Sequence, residues 1–226
     1  SAVPYVTILD NGSGMNEREI DDAMRYGSQS SLNVRSEQDL GRFGLGLKTA
    51  SLSQCRCLTV LTKQKNSLYA RRWDLDEIYQ RGTWALLELE DQEIKQVPQF
   101  DALKKLPHGT LIVWEELDRM LGGTAAPEKL MNKQMDYVRE HLALVFHRYR
   151  AGESGIIKLP IRLNGLEIAP KDPFLIGRSL SFQDDEKFLI EGHPVYVSAF
   201  MLPHISNMTQ QEKNALGGSE GLTKDQ

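Results

Sequence analysis

The chain opens with an apolar run that changes abruptly into a glycine turn. Residues 5–9, Tyr-Val-Thr-Ile-Leu, are mostly β-branched or aromatic and predict a strand. After the turn Asp-Asn-Gly-Ser-Gly-Met, Asn16 stands three residues before Glu19, which is the spacing of a helix capping box. The apolar positions that follow share one helical face: Ile20, Ala23 and Met24. We therefore predict a strand, a tight turn and a short helix that ends near Gly27.

Four later segments have the composition of strands, namely residues 56–63, 67–74, 83–90 and 109–114. Turn-like or charged stretches join them, which predicts an antiparallel or mixed sheet with helices on one face. A polar, aperiodic stretch at 28–39 is longer than most connections, and such loops are often functional.

The longest helical pattern covers residues 128–150. Its apolar positions recur at steps of three and four and predict a buried stripe: Leu130, Met131, Met135, Val138, Leu142, Val145 and Tyr149. Such a stripe is typical of core packing and not of a cofactor site. Beyond 151–155, Ala-Gly-Glu-Ser-Gly, the segments are strand-like without a helical partner. We predict one domain at residues 1–152 and an incomplete, mainly β domain at residues 153–226.

Composition narrows the class of protein. The 226 residues are 40% hydrophobic and 26% charged, which are ordinary values for a globular protein. A net charge of −4 gives no overall electrostatic reason to expect a nucleic-acid binder, although a local basic patch stays open. Neither a signal peptide nor an apolar run of spanning length is seen, so we expect a cytoplasmic protein without a membrane partner. The abrupt start and end of the sequence lead us to expect a fragment.

The two cysteines, Cys55 and Cys57, stand two residues apart, where disulfide geometry is poor. A zinc site would need two further ligands at suitable spacing, and the sequence has no second cysteine pair. We expect packed or surface thiols in a reducing compartment.

Two glycine-rich turns, at 10–15 and 41–46, each feed a helix. Glycine lets a ligand approach the backbone, and a helix start offers free N–H groups, so both turns are candidate anion sites. Either one alone could equally be a structural turn. The phosphate-loop pattern G-x-x-x-x-G-K-[ST] is absent, as is G-x-G-x-x-G in its required context. Asp10, at a strand end, could accept a hydrogen bond from an exocyclic amine or could cap an Asx-turn.

Three motifs in order resemble those of one superfamily. Asp-Asn-Gly-Ser-Gly-Met at 10–15 and Gly-Arg-Phe-Gly-Leu-Gly-Leu-Lys-Thr-Ala at 41–50 resemble the two glycine boxes of the GHKL ATPases. Leu-Pro-His-Gly-Thr-Leu-Ile-Val-Trp at 106–114 is similar to the late Gly-Thr of that superfamily. Its members include gyrase B, the ninety-kilodalton chaperones, histidine kinases, MutL and the microrchidia proteins. The sequence of the second box most resembles that of the stand-alone bacterial or microrchidia-like branch.

The resemblance implies a Bergerat ATP-binding fold. This is an α/β two-layer sandwich with a mixed sheet and helices on one face, followed here by the start of a transducer-like domain. It also implies ATP or ADP as ligand, with Asp10 on the adenine amine, Gly12, Gly14 and Thr110 around the base, and Met15 lining the pocket. The phosphates would lie against the second box and the start of its helix: Gly41, Arg42, Phe43, Gly44, Leu45, Gly46, Lys48 and Thr49. Ser28 would begin an ATP lid at 28–39. Alternatively, Lys48 could be a solvated helix charge. His108 is predicted to be a turn residue and not a catalyst.

The superfamily carries its catalytic glutamate and its Mg²⁺-binding asparagine on a helix before the first glycine box. The resemblance implies that these residues lie upstream of this sequence, which leaves the catalytic residues unknown and the Mg²⁺ ligand outside the fragment. We therefore expect the fragment to bind nucleotide weakly or not at all and the parent protein to hydrolyse ATP. Lys171 and Lys224 are candidates for the lysine that reaches the γ-phosphate from a transducer domain.

The function implied by the resemblance is an ATP-binding domain that couples ATP binding and hydrolysis to lid closure and homodimerisation. A histidine-kinase-like catalytic domain is one alternative, and a nucleotide-independent interaction module that retains the fold is another. A DNA or protein client stays open.

Overall fold

A computed structural model describes residues 3–25, 46–153, 155–181 and 185–216. The chain divides into two compact units, Ser1–Leu130 and Met131–Gln226. This division falls earlier in the chain than the predicted domain boundary after residue 152. The domain boundary itself stays a prediction.

The first unit is built around a five-stranded sheet. Its strands in chain order are β1 Val6–Asp10, β2 Cys57–Gln64, β3 Ser67–Asp74, β4 Leu87–Glu88 and β5 Gly109–Glu115. They lie in the order β1-β5-β2-β3-β4, and every pairing among these described strands is antiparallel. The predicted α/β class is confirmed. The predicted mixed sheet is corrected to an antiparallel sheet. The predicted strand at 83–90 shrinks to β4 because most of its length does not pair with β3.

The helices in chain order are α1 Glu17–Met24, α2 Gly46–Leu52, α3 Leu75–Arg81, α4 Asp91–Ile94, α5 Phe100–Lys105, α6 Asp118–Leu121, α7 Pro127–Val145, α8 His147–Ala151 and α9 Gln210–Ala215. Helix α1 has the predicted capping box: Glu19 N–H donates to Asn16 Oδ1, and Asn16 N–H donates to Glu19 Oε2. The box pairs two backbone N–H groups that the helix start would leave without partners. The predicted helix start is therefore confirmed.

Helices α1 and α2 pack on one face of the sheet. Trp73 Nε1 in β3 donates to Met24 O at 2.9 Å, and Trp114 Nε1 in β5 donates to Ser51 Oγ at 2.9 Å. Arg71, also in β3, is 5% exposed and donates to Asp21 Oδ1 of α1 at 2.6 Å. Side chains of alternate strand residues share a face, so these three contacts fix one layer of helices over β3, β2 and β5.

The opposite face of the sheet is also partly covered. It carries a buried apolar cluster to which α4, α5 and the turn between them contribute: Leu61, Ala70, Leu89, Ile94, Val97, Leu103, Leu111 and Val113. The expectation of helices on one face alone therefore needs a correction. The segment 91–105 folds back because its own apolar residues have that surface to bury.

The second unit contains short antiparallel pairs of strands: β6 Arg162–Leu163 with β7 Leu166–Glu167, β8 Leu180–Ser181 with β11 Phe200–Met201, and β9 Glu186–Ile190 with β10 His193–Val197. Arg150 is 3% exposed and joins three of its segments, since the guanidinium donates to Leu159 O, Ile168 O and Glu167 Oε1. The hydrogen bond from Arg150 and the positive charge of its guanidinium hold the pKa of the Glu167 carboxyl below its usual range.

The predicted helix at 128–150 exists but is broken. It ends as α7 at Val145, and α8 begins at His147. The buried stripe is wrong: Val138, Val145 and Tyr149 are exposed, and Ala143 is the buried residue of α7. Regular spacing gives a helix a face, but another element must cover that face before it is core.

Among the described residues, no helix combines the length and apolar character needed to cross a membrane. Cys55 and Cys57 are free thiols, and both are buried.

Truncation of a leucine in the row that crosses β1, β5 and β2 tests the sheet register. Leu9, Leu111 and Leu61 are cross-strand partners, but Leu111 is 0% exposed and Leu9 is 40% exposed. Leu111→Ala should lower the free energy of unfolding by about 2–5 kcal/mol, because it leaves a cavity. Leu9→Ala should cost about 1 kcal/mol or less, because less apolar area is lost. Urea unfolding measures both, and equal costs would contradict this register.

The cysteines give a second test. Burial raises the pKa of Cys55 to about 12 and that of Cys57 to about 11. Since the thiolate is the reactive form, neither residue should be alkylated by iodoacetamide at pH 8 in the folded chain, whereas both should be alkylated in urea. Mass spectrometry counts the adducts. Rapid labelling of the folded chain would show that the two thiols are accessible.

Candidate functional site

A row of three polar residues crosses the sheet at the end of β1. Asp10 in β1 pairs with Thr110 in β5, and Thr110 pairs with Thr62 in β2. Cross-strand partners share a face, and Thr62 belongs to the face that carries α1 and α2. We call Asp10, Thr110 and Thr62 the polar row.

Asp10 is held by one of its two carboxylate oxygens. Oδ1 accepts the N–H of Gly12 at 2.8 Å and the N–H of Thr110 at 3.2 Å. Within the described part of the chain, no hydrogen bond reaches Oδ2. The Asx-turn bond to Gly12 is therefore present, and it leaves the second oxygen of an exposed carboxylate as an acceptor.

Two glycines allow the close approach of the loops to the strands. Gly14 has φ +67°, and a Cβ there would lie 2.0 Å from Lys63 O. Gly109 has φ +148°, and a Cβ there would lie 2.2 Å from Asp10 O. Both positions exclude a side chain through its contact with backbone and through the sign of φ. The first glycine turn and the start of β5 are thereby packed against neighbouring strands.

Thr62 joins the first glycine turn to the start of β5, and the sequence did not predict this role. Its Oγ1 accepts the N–H of Met15 at 2.8 Å and donates to Gly109 O at 3.3 Å, with Thr110 Oγ1 at 3.5 Å. A threonine in a strand is common, so the sequence carried no signal for this role. This role of Thr62 becomes visible only once the register of β2 with β5 is known.

Two further side chains hold the first glycine turn. Gln64 Nε2 donates to Gly14 O at 3.2 Å, and His108 Nδ1 lies 2.5 Å from Gly12 O. Because a carbonyl oxygen only accepts, His108 Nδ1 carries the proton. His108 thus makes a contact with the turn, which agrees with the prediction of a turn residue.

A pocket of about 420 Å³ opens beside this turn. Its lining comes from the turn, from α1 and from the end of β2: Ser13, Gly14, Met15, Glu19, Asp22, Ala23 and Gln64. The volume is within the range of small-molecule pockets, roughly 300–1,000 Å³. Gly14 and Met15 belong both to this pocket and to the predicted adenine site, while the two acidic residues disfavour an anion in this part of the surface.

Lys48 lies inside the protein, 1% exposed, at the point where α2 meets α1. Its Nζ donates to Ala23 O and Arg25 O, each at 2.8 Å, at the end of α1. Burial lowers the pKa of this ammonium group. The alternative of a solvated helix charge is therefore wrong, whereas a contact of Lys48 with phosphate stays a prediction.

A family model described as a histidine kinase-, DNA gyrase B- and HSP90-like ATPase matches residues 2–110. The match spans both glycine boxes and ends at Thr110, the partner of Asp10 in the sheet. Residues 2–110 belong to the GHKL ATPase superfamily. They are an ATP-binding domain of that type, while membership of the stand-alone or microrchidia-like branch stays a prediction. A comparison with curated proteins gave no match.

Parts of the predicted GHKL site lie outside the described residues: Ser28, the lid at 28–39, Gly41, Arg42, Phe43, Gly44, Leu45 and the candidate lysine Lys224. Gly46 begins α2, and Thr49 is exposed on it. In the second unit, Lys171 Nζ donates to Glu140 Oε2 at 2.6 Å. The roles of these residues stay predictions.

The described residues of the GHKL domain fit the base of an adenine nucleotide. Asp10 Oδ2 is a charged acceptor, Thr110 brings a hydroxyl, and half-buried Met15 brings an apolar surface beside the turn. No group of three or more His, Cys, Asp or Glu residues that could hold a metal ion occurs in the part of the chain that the structure describes. Mg²⁺ ligands from upstream residues stay a prediction.

Gly14 and Gly82 form a matched pair for a test of the close approach. Both have left-handed φ, +67° and +63°, but a Cβ at Gly82 would meet nothing within 4 Å. Gly82→Ala should cost about 1–2 kcal/mol of stability from φ alone. Gly14→Ala should cost about 1–3 kcal/mol more, because Lys63 O or the turn must move. Equal midpoints in urea unfolding would contradict the packing of the turn against β2.

Proposed function

We propose that this chain binds ATP and ADP, weakly because the Mg²⁺ ligands are expected upstream, on the face of its five-stranded sheet that carries α1 and α2. Asp10 recognises the base. Asp10 Oδ2 accepts the exocyclic amine of adenine, and the hydroxyl of Thr110 lies next to it in the polar row. Met15 provides apolar contact for the base. The second glycine box and the start of α2 bind the phosphates.

The observation that carries this proposal is the hydrogen bonding of the Asp10 carboxylate. Two backbone N–H groups hold Oδ1 at 2.8 and 3.2 Å and so fix the orientation of the group. A carboxylate with one fixed oxygen and one open oxygen recognises an amine without a large ordering cost. A hydrogen bond to a charged group contributes about 1.5–3 kcal/mol, enough to select adenine over a base that lacks the amine.

In the intact protein, we propose that ATP binding and hydrolysis are coupled to closure of residues 28–39 over the nucleotide and to homodimerisation. Support comes from the superfamily match of residues 2–110. Mg²⁺, held by residues upstream, would offset the negative charge of the phosphates. Residues 153–226 would begin a transducer-like domain that carries the change to a DNA or protein client in the cytoplasm.

The test is an NMR titration of the full 226-residue chain with Mg-ADP and with Mg-IDP, whose base has a carbonyl in place of the amine. Wild type should prefer ADP. Asp10→Asn keeps an oxygen for Gly12 and Thr110 but replaces the open acceptor with a donor amide. It should lose at least roughly tenfold in ADP affinity and shift its preference towards IDP, since tenfold corresponds to about 1.4 kcal/mol.

Asp101→Asn is the matched control, because Asp101 is an exposed acid on α5 at the opposite face. Its ADP affinity should equal that of wild type. Absence of any shift with wild type at millimolar ADP would refute nucleotide binding and favour the interaction module. Unchanged base preference in Asp10→Asn would refute the role of Asp10.

A further inference from the structure

Thr62 occupies a position in the candidate site that differs from those of Asp10 and Thr110. It lies on β2, which is flanked by β5 and β3, and its side chain is 0% exposed. Its hydroxyl bonds both to Met15 at the end of the first glycine turn and to Gly109 at the start of β5. Each partner is 47 residues away in sequence, one on either side.

In these two bonds the hydroxyl is an acceptor once and a donor once. Oγ1 accepts from Met15 N–H, which follows Gly14, and its own proton points to Gly109 O, which precedes Thr110. A hydroxyl can do both at once, whereas a methyl group in its place can do neither. Loss of the hydroxyl would leave a part-buried N–H and a carbonyl without this partner, which destabilises the observed positions of both segments.

The spacing of these two loops matters for the proposed adenine site. Met15 would contact the base from one loop, and Thr110 would do so from the other. Asp10 stands between them because its Oδ1 accepts from both Gly12 and Thr110. A shift of either loop would move the open Asp10 oxygen relative to the apolar surface of Met15.

We propose that Thr62 is a positioning residue of the nucleotide site. Its hydroxyl sets the distance between the first glycine turn and the Gly-Thr segment and thereby sets the affinity for adenine nucleotides, without contact to the ligand. This inference rests on the proposed function, since it concerns the same site.

Thr59 provides a control for the loss of a buried hydroxyl. It lies on the same strand, is also 0% exposed, and its Oγ1 accepts from Arg72 Nε at 2.8 Å. It stands an odd number of residues from Thr62 and so faces the other side of the sheet. Thr59→Val should therefore reduce stability without moving the two loops.

The experiment compares variants that differ in the hydroxyl alone. Thr62→Val replaces it with a methyl group of similar size, and the pair Thr62→Ser and Thr62→Ala adds or removes it on a smaller side chain. The Ser and Ala pair keeps the test decisive if Thr62→Val does not fold. For each full-length variant, NMR measures the exchange of the Met15 amide without ligand and the Kd of Mg-ADP.

Thr62→Val and Thr62→Ala should weaken ADP binding by roughly tenfold, and the Met15 amide should exchange faster by a similar factor, as expected for about 1.4 kcal/mol. Thr62→Ser and Thr59→Val should stay within about threefold of wild type, which is less than about 0.7 kcal/mol. Urea unfolding records the stability of each variant, so that a loss of affinity can be separated from a loss of fold.

Two results would overturn the proposal: wild-type affinity in Thr62→Val, or equal affinities in the Ser and Ala variants. Failure of wild type to bind ADP would refute the proposed function and with it the effect of Thr62 on affinity. Exchange of the Met15 amide then decides separately whether the hydroxyl joins the two loops, and an unchanged rate in Thr62→Ala would show that it does not.

Discussion

The antiparallel register of β1, β5 and β2 is the constraint on which the rest of the site depends. It places Asp10 opposite Thr110, 100 residues later, and Thr110 opposite Thr62. A shift of one residue in either pairing would send a polar-row side chain to the other face, where Leu61 and Leu111 are buried. The apolar cluster on that face therefore fixes the register, and the register brings together three segments that are remote in sequence.

Buried polar contacts then attach α1 to this sheet and to α2. Arg71 reaches Asp21 at the middle of α1, and Lys48 reaches the carbonyls at its end. Both cations are almost fully buried, and each has partners, as buried charge requires. Lys48 therefore links the helix after the first glycine turn to the helix after the second. This arrangement gives Lys48 a structural role whether or not it also contacts phosphate.

Local patterns predicted much of the fold because local chemistry determines it. The capping box of Asn16 and Glu19 and the strand Ser67–Asp74 follow from neighbours in sequence, and both are found as predicted. Features that depend on tertiary partners were missed: the hydroxyl of Thr62, the partners of Lys48 and the second covered face of the sheet. The stripe from Leu130 to Tyr149 failed for the same reason, since spacing predicts a helix but does not supply a surface to cover it.

The contact that we propose for recognition of the base lies between Asp10 Oδ2 and the amine of adenine. A crystal structure of the chain with Mg-ADP tests it most directly. We predict that the amine lies within hydrogen-bonding distance of Oδ2, roughly 2.7–3.2 Å, while Gly12 and Thr110 still hold Oδ1. A base bound elsewhere, or an Asp10 that releases Thr110 to reach the ligand, would contradict the account.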